Sequence, residues 1–339
     1  MTLSAPAVDA RLPAAEAASA WTAAGPYSLA STLGVLQRGT HDPCVRVAGQ
    51  AAWLCFDTDA GPASLHLAAS THPPASATEA GTTAAGAGTT TVAIRAWGPG
   101  ARAALAAAPR LLGADDDWTA FDDARYRDGL PRMVSEARRR HPGLRLPATG
   151  RVFDALVPVI LEQKVTTIEA RHAWRYLARK FGTRAPGPAP ADMRIPPGPH
   201  GLRRIGSWDW HAARVDISRR TTILRAAESA AGLNRLGALP LSAGPSAKLQ
   251  TVPGIGPWTA AEVLQRTHGD PDSVSVGDYH LAAYVGHALA GRTTDDAGML
   301  ELLRPWNGHR QRVVRMIGLS GFRKPAFGPR LAPEDHRRR

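Results

Sequence analysis

Polar and apolar residues alternate in several short runs near the start of the chain, at 44–47, 51–56, 64–67 and 91–97. Such alternation predicts half-buried strands, and Ala48-Gly49-Gln50 between the first two runs predicts a tight connection. A short amphipathic stretch at 27–36 precedes them, and 101–112 reads as a helix stopped by Gly113. Residues 1–20 are Ala-rich and aperiodic, which predicts a loose tail. Residues 70–90 are low in complexity, a mobile loop between strands. The expectation is a small α+β domain over 21–118, built on an antiparallel sheet.

Beyond Asp115-Asp116-Asp117 the period changes. Phe153, Leu156, Val157, Ile160 and Leu161, then Ala173, Trp174 and Leu177, recur at helical spacing and predict helix through 153–181. A Pro-rich connection follows at 182–199, and further helices are expected at 215–231, 246–251, 258–267, 279–289, 295–303 and 310–317. This defines a mostly helical region over 119–325, with a basic tail at 326–339. No repeat of fixed period is present.

Composition narrows the function classes. The 339 residues are 44% hydrophobic and 21% charged, enough for two or three domains with real cores. Two cysteines, Cys44 and Cys55, exclude a disulfide framework, a four-cysteine zinc site and a cysteine-ligated iron–sulfur cluster. The sequence shows neither a secretory h-region nor an apolar run of about 18 residues, which predicts a reducing, cytoplasmic setting without a membrane. The twelve histidines show no metal-ligand spacing, so no catalytic metal is expected. Residues 1–150 carry 13 Lys+Arg against 13 Asp+Glu, whereas 151–339 carry 28 against 16, so the formal charge of +12 lies wholly in the second part. A neutral part joined to a basic one suggests a polyanion as partner, although Arg-rich surfaces also accompany Ala/Gly/Pro-rich compositions.

The sharpest local signal is Leu249-Gln250-Thr251-Val252-Pro253-Gly254-Ile255-Gly256-Pro257-Trp258-Thr259-Ala260-Ala261. A short helix ends in Pro-Gly-Ile-Gly-Pro, and a second begins with proline at its favoured first position. Two glycines around one apolar residue reverse the chain tightly, leave backbone N–H groups uncovered and point Ile255 inward. With the positive end of the next helix they form a seat for a phosphate. A plain helix–turn–helix connector is the simpler alternative.

This segment, within 249–267, resembles the helix-hairpin-helix motif of the DNA glycosylase superfamily that also carries a downstream catalytic aspartate. The resemblance runs from about Tyr27 to Arg323 and is nearest to the bacterial DNA-3-methyladenine glycosylase II group. It implies a TATA-binding-protein-like N-terminal domain and a monomer acting in the cytoplasm, on the nucleoid, upon damaged double-stranded DNA. It also implies contact with the DNA through Val252, Gly254, Ile255, Gly256 and Thr259, and a Na+ or K+ ion bridging carbonyls of 252–256 to a phosphate.

Asp278 lies 20 positions beyond Trp258, in Val274-Ser275-Val276-Gly277-Asp278-Tyr279-His280, and matches the family's aspartate. Cleaving an N-glycosidic bond builds positive charge on the sugar, which a fixed carboxylate stabilises while orienting water. An Asp before a helix is ordinarily an N-cap, and Asp278 can serve both roles. Family members that also nick the strand carry a lysine where this chain has Trp258, so the resemblance implies a monofunctional hydrolase. Trp258 and Tyr279 are expected at the base and sugar, the indole by stacking on a flat cationic base. Gln163 and Lys164, in Ile160-Leu161-Glu162-Gln163-Lys164-Val165, match the segment that fills the gap left by a flipped nucleotide, and an ordinary solvated run is the equal alternative. Arg315 stands where better-known relatives place a pocket tryptophan. The expected activity is hydrolysis of 3-methyladenine-type alkylated purines. The alternatives are a damaged-DNA-binding protein without catalysis and a glycosylase for deaminated or oxidised bases.

Overall fold

The computed structural model of the chain describes residues 12–72 and 88–324. Two compact units are present: one holds the described residues through Pro109 together with Arg175–Pro197, the other Arg110–Trp174 and Gly198 onward.

The first unit is built on a five-stranded antiparallel sheet of order β1-β5-β4-β3-β2. Its strands are β1 (Ala17–Thr22), β2 (Val45–Ala48), β3 (Ala51–Thr58), β4 (Gly61–His72) and β5 (Thr89–Trp97). Val92, Ile94 and Ala96 of β5 are buried at every second position, as the alternation predicted. Helix α1 (Leu29–Leu33) is capped by the Ser28 side chain, and α2 (Ala101–Leu111) follows the sheet. The expected tail at 1–20 is corrected at its end: β1 occupies Ala17–Thr22, with Ala17 opposite Ala96 and Thr22 opposite Thr91. Its sequence, AASAWT, has no alternation because this edge strand is largely exposed and is held by backbone pairing. Most of the expected 70–90 loop lies outside the described residues, as do 1–11 and the basic tail, while residues 70–72 and 89–90 are strand.

The Pro-rich connection also has structure, and it belongs to the first unit rather than to the helical region. Strands β6 (Thr183–Arg184) and β7 (Arg194–Ile195) pair, and Ala185, Met193 and Ile195 bury themselves against Cys55. Arg46 pairs with Asp192 at 2.7 Å.

The second unit is helical. Its elements are α3 (Thr119–Asp122), α4 (Ala124–Asp128), α5 (Arg132–Arg140), α6 (Val152–Leu161), α7 (Thr167–Phe181, which crosses into the first unit), α8 (Pro199–Arg203), α9 (Ser207–Ala212) and α10 (Ile217–Glu228). They continue with α11 (Ala230–Leu236), α12 (Pro245–Leu249), α13 (Pro257–Thr267), α14 (Leu281–Ala290), α15 (Asp296–Leu303) and α16 (Arg310–Leu319). Almost every residue of α6 is buried, and it packs against α10, α11 and α13. The single helix expected over 153–181 is broken at 162–166. Lys164 adopts φ +53°, and Thr166 and Glu169 form a reciprocal cap that starts α7. The expected 215–231 helix breaks likewise at Ser229. No helix among the described residues is long and apolar enough to cross a membrane.

A candidate active site beside the hairpin

The turn between α12 and α13 is fixed from inside. Val252 and Ile255 are buried, the latter 4% exposed, and the Ile255 N–H donates to the Val252 carbonyl at 3.0 Å. Gly254 holds φ +98°, and a Cβ there would come within 2.2 Å of Thr222 Oγ1 on α10. Only glycine fits both demands. Gly256 is extended, and Pro257 opens α13, whose first-turn N–H groups lie outside the helix's own hydrogen-bond ladder.

Gln163 reaches this turn from the end of α6. Its Nε2 donates to the Gly254 carbonyl at 3.0 Å and to Thr259 Oγ1 at 2.9 Å. Gln163 is therefore a brace of the hairpin, and Thr259 its anchor. Of the residues expected at DNA, Val252, Ile255 and Thr259 have buried side chains and offer backbone alone. Gly254 is exposed and Gly256 partly so, and Lys164 is exposed at the adjoining bend.

Asp278 sits in the loop between α13 and α14. Its Oδ1 accepts from the His280 and Leu281 N–H groups, each at 2.9 Å, where the chain enters α14. Its Oδ2 accepts from Trp258 Nε1 at 3.2 Å. Val274 and Ala282, buried on either side, fix the loop to a core shared with α3, α5, α15 and α16. One side chain thus bonds the start of α14 and lines a cavity.

That cavity has a volume of about 430 Å³ and is lined by Asp278 and Ser275. Its walls come from Glu262 and Gln265 on α13, Leu281 and Tyr284 on α14, and Gln311 and Val314 on α16. The polar floor is organised. Ser275 Oγ donates to Glu262 Oε1 at 2.5 Å, Gln265 Nε2 donates to Ser275 Oγ at 3.0 Å, and Arg266 holds Glu262 Oε2 at 2.7 Å. Burial raises the Tyr284 phenol above its ordinary pKa.

None of the four residues expected in the pocket is among those that line the cavity. Trp258 is spent on Asp278, and Gln163 on the hairpin. Tyr279 is 81% exposed, edge-on to His280. Arg315 follows the wall residue Val314 without joining the lining; burial, then repulsion from Arg266, lowers its pKa. Glu262, missed in the sequence, lies one helical turn after Trp258, and that spacing was the available signal. Ser207–Ala212 is helix α9; its Trp210 is buried, whereas Trp208 is 79% exposed. Among the described residues no cluster of His, Cys, Asp or Glu is suited to a metal ion.

No protein-family model and no curated protein sequence matches the chain. Solved structures do. A 3-methyladenine DNA-glycosylase from Archaeoglobus fulgidus superposes with TM-score 0.67 at 14% identity, over 89% of this chain and 99% of that one. The apo form of Clostridium acetobutylicum 8-oxoguanine glycosylase/lyase gives 0.62 at 8% identity, over 88% and 94%. MBOgg1 in complex with a low-affinity DNA ligand gives 0.59 at 14%, over 89% and 95%. The chain has the DNA glycosylase fold. The structural likeness extends along most of the sequence, as the resemblance carried by the hairpin implied, and includes both the sheet and the helical region.

Proposed function

We propose that the protein is a monofunctional DNA N-glycosylase that removes alkylated purines of the 3-methyladenine type from double-stranded DNA. The observation that carries this reading is Asp278, clamped at both oxygens and aimed into a cavity beside a helix-hairpin-helix turn. The hairpin amides and the start of α13 suit a phosphate, which sets the strand against the site. A flipped base enters the cavity and leaves its sugar near Asp278. As the C1′–N bond lengthens, its electron pair withdraws onto the base and positive charge develops on the deoxyribose. The fixed carboxylate stabilises that charge. Water then forms the new bond at C1′, and its proton leaves through the carboxylate. Trp258 carries no amine, so no Schiff base forms and the strand stays uncut.

Asp278→Asn keeps a side chain of the same shape, and removes the charge. Single-turnover release of base from methylated duplex should fall by at least about 100-fold, the scale of a lost electrostatic or acid–base contribution. Duplex affinity should hold. Normal release by the variant would reject the assignment. The likeness to an 8-oxoguanine glycosylase/lyase motivates a second reading, excision of an oxidised base. Wild-type release of 8-oxoguanine in preference to methylated purines would select it.

A further inference from the structure

The cavity beside Asp278 contains a second carboxylate. Glu262 stands one turn of α13 beyond Trp258, lines the cavity, and has a side chain only 17% exposed. Ser275 holds one of its oxygens and Arg266 the other, while Gln265 locks Ser275 and the Ser273 carbonyl. The rotamer is thus fixed before any base arrives. Arg266 lies outside the lining, so the carboxylate is the nearer charge to the cavity and the guanidinium, on its far oxygen, offsets it in part. The Trp258 indole, the natural surface for stacking a base, points its N–H at Asp278 and is not a wall.

We infer that Glu262 is a selectivity residue that makes this cavity prefer a purine bearing a formal positive charge over a neutral lesion. The inference rests on the glycosylase reading above and names the substrate class of the same site. Attraction to a cationic N-alkylpurine is stronger beside a largely buried carboxylate than it would be in open water. It belongs to the bound state. When the glycosidic bond breaks, the base receives the electron pair, becomes neutral and no longer attracts Glu262, while the charge passes to the sugar beside Asp278. Glu262 therefore lowers the concentration needed for half-saturation and does not speed the chemical step. Lys324 also lines the cavity and opposes this preference.

The test is single-turnover release from two duplexes, one carrying 7-methylguanine and one hypoxanthine, against enzyme concentration. Wild type should favour 7-methylguanine. Glu262→Gln should raise its half-saturating concentration about tenfold, equivalent to about 1.4 kcal/mol, with the saturated rate unchanged or higher. Release of hypoxanthine, where measurable, should shift by no more than about twofold, as expected for a neutral base. Arg266→Gln breaks the same ion pair but keeps the carboxylate, and should preserve the preference. Lys324→Gln should sharpen it. The inference is overturned if Glu262→Gln changes both duplexes alike or neither, or lowers only the saturated rate. It also fails if Arg266→Gln reproduces the Glu262 effect, or if wild type favours hypoxanthine. Wild type that releases neither base overturns the alkylated-purine reading on which the inference rests, an outcome distinct from all the others because each of those requires measurable wild-type release.

Discussion

A single hydrogen bond separates two roles for Trp258. The sequence reading put the indole at the base and Asp278, 20 residues further on, at the sugar. Whether the ring would face the base or the aspartate depended on a rotamer, which no sequence pattern encodes. The structure turns Nε1 onto Asp278 Oδ2. Trp258→Phe retains a ring face for stacking, though a smaller one, and loses the N–H. A hydrogen bond to a charged group contributes about 1.5–3 kcal/mol, so the saturated rate should fall about tenfold or more while half-saturation holds. Single-turnover kinetics measure both quantities. A rise in half-saturation at constant rate would instead place the ring against the base. Glu262 was equally legible in principle, through the helical period, but a glutamate on an amphipathic helix reads as solvated until the facing helices are known.

At the scale of elements, Gln163 shows how a segment read from its period acquires a contact that the period does not announce. Its place at the end of α6 followed from the apolar period of Phe153 to Leu161. The break after it was written as Thr166-Thr167-Ile168-Glu169, a capping box, yet the helical period of the flanking residues ran across and concealed it. The break frees Gln163 to turn onto the hairpin. As a brace it contributes to the fold without DNA; as a gap-filling residue it would act only when a nucleotide has left the stack. Gln163→Ala leaves the buried Thr259 hydroxyl and the Gly254 carbonyl without that donor, which should cost about 1–2 kcal/mol. DNA-free thermal unfolding should show the loss as a lowered Tm. An unchanged Tm with impaired excision would return Gln163 to the flipped-base gap. β1 was illegible for another reason: an exposed, Ala-rich edge strand has no face to pattern, and its partner strand alone specifies it.

For the whole molecule, the unequal charge of the two parts of the sequence is the property that most directly reaches solution behaviour. The excess of 28 basic over 16 acidic residues in 151–339 was readable by counting, and this span supplies the hairpin, Lys164 and the Asp278 loop. The assignment of Arg175–Pro197 to the sheet-bearing unit was not readable, because the burial of Met193 and Ile195 depends on Cys55, far away in sequence. Neutralising phosphates releases condensed counterions, so the logarithm of the duplex binding constant should fall linearly with the logarithm of salt concentration. The same salt should leave the saturated excision rate nearly constant, since Asp278 is clamped by short-range contacts that salt screens little. Fluorescence anisotropy with undamaged duplex between about 50 and 200 mM salt measures the first behaviour, in the range where phosphate contacts dominate. Single-turnover release at saturating enzyme measures the second. A flat binding curve would mean that the basic excess faces away from DNA, and the hairpin amides alone would then have to carry affinity. A saturated rate that falls with salt would mean that long-range charge contributes to the chemical step itself, and Asp278 would then be only part of the electrostatic field that stabilises the sugar cation.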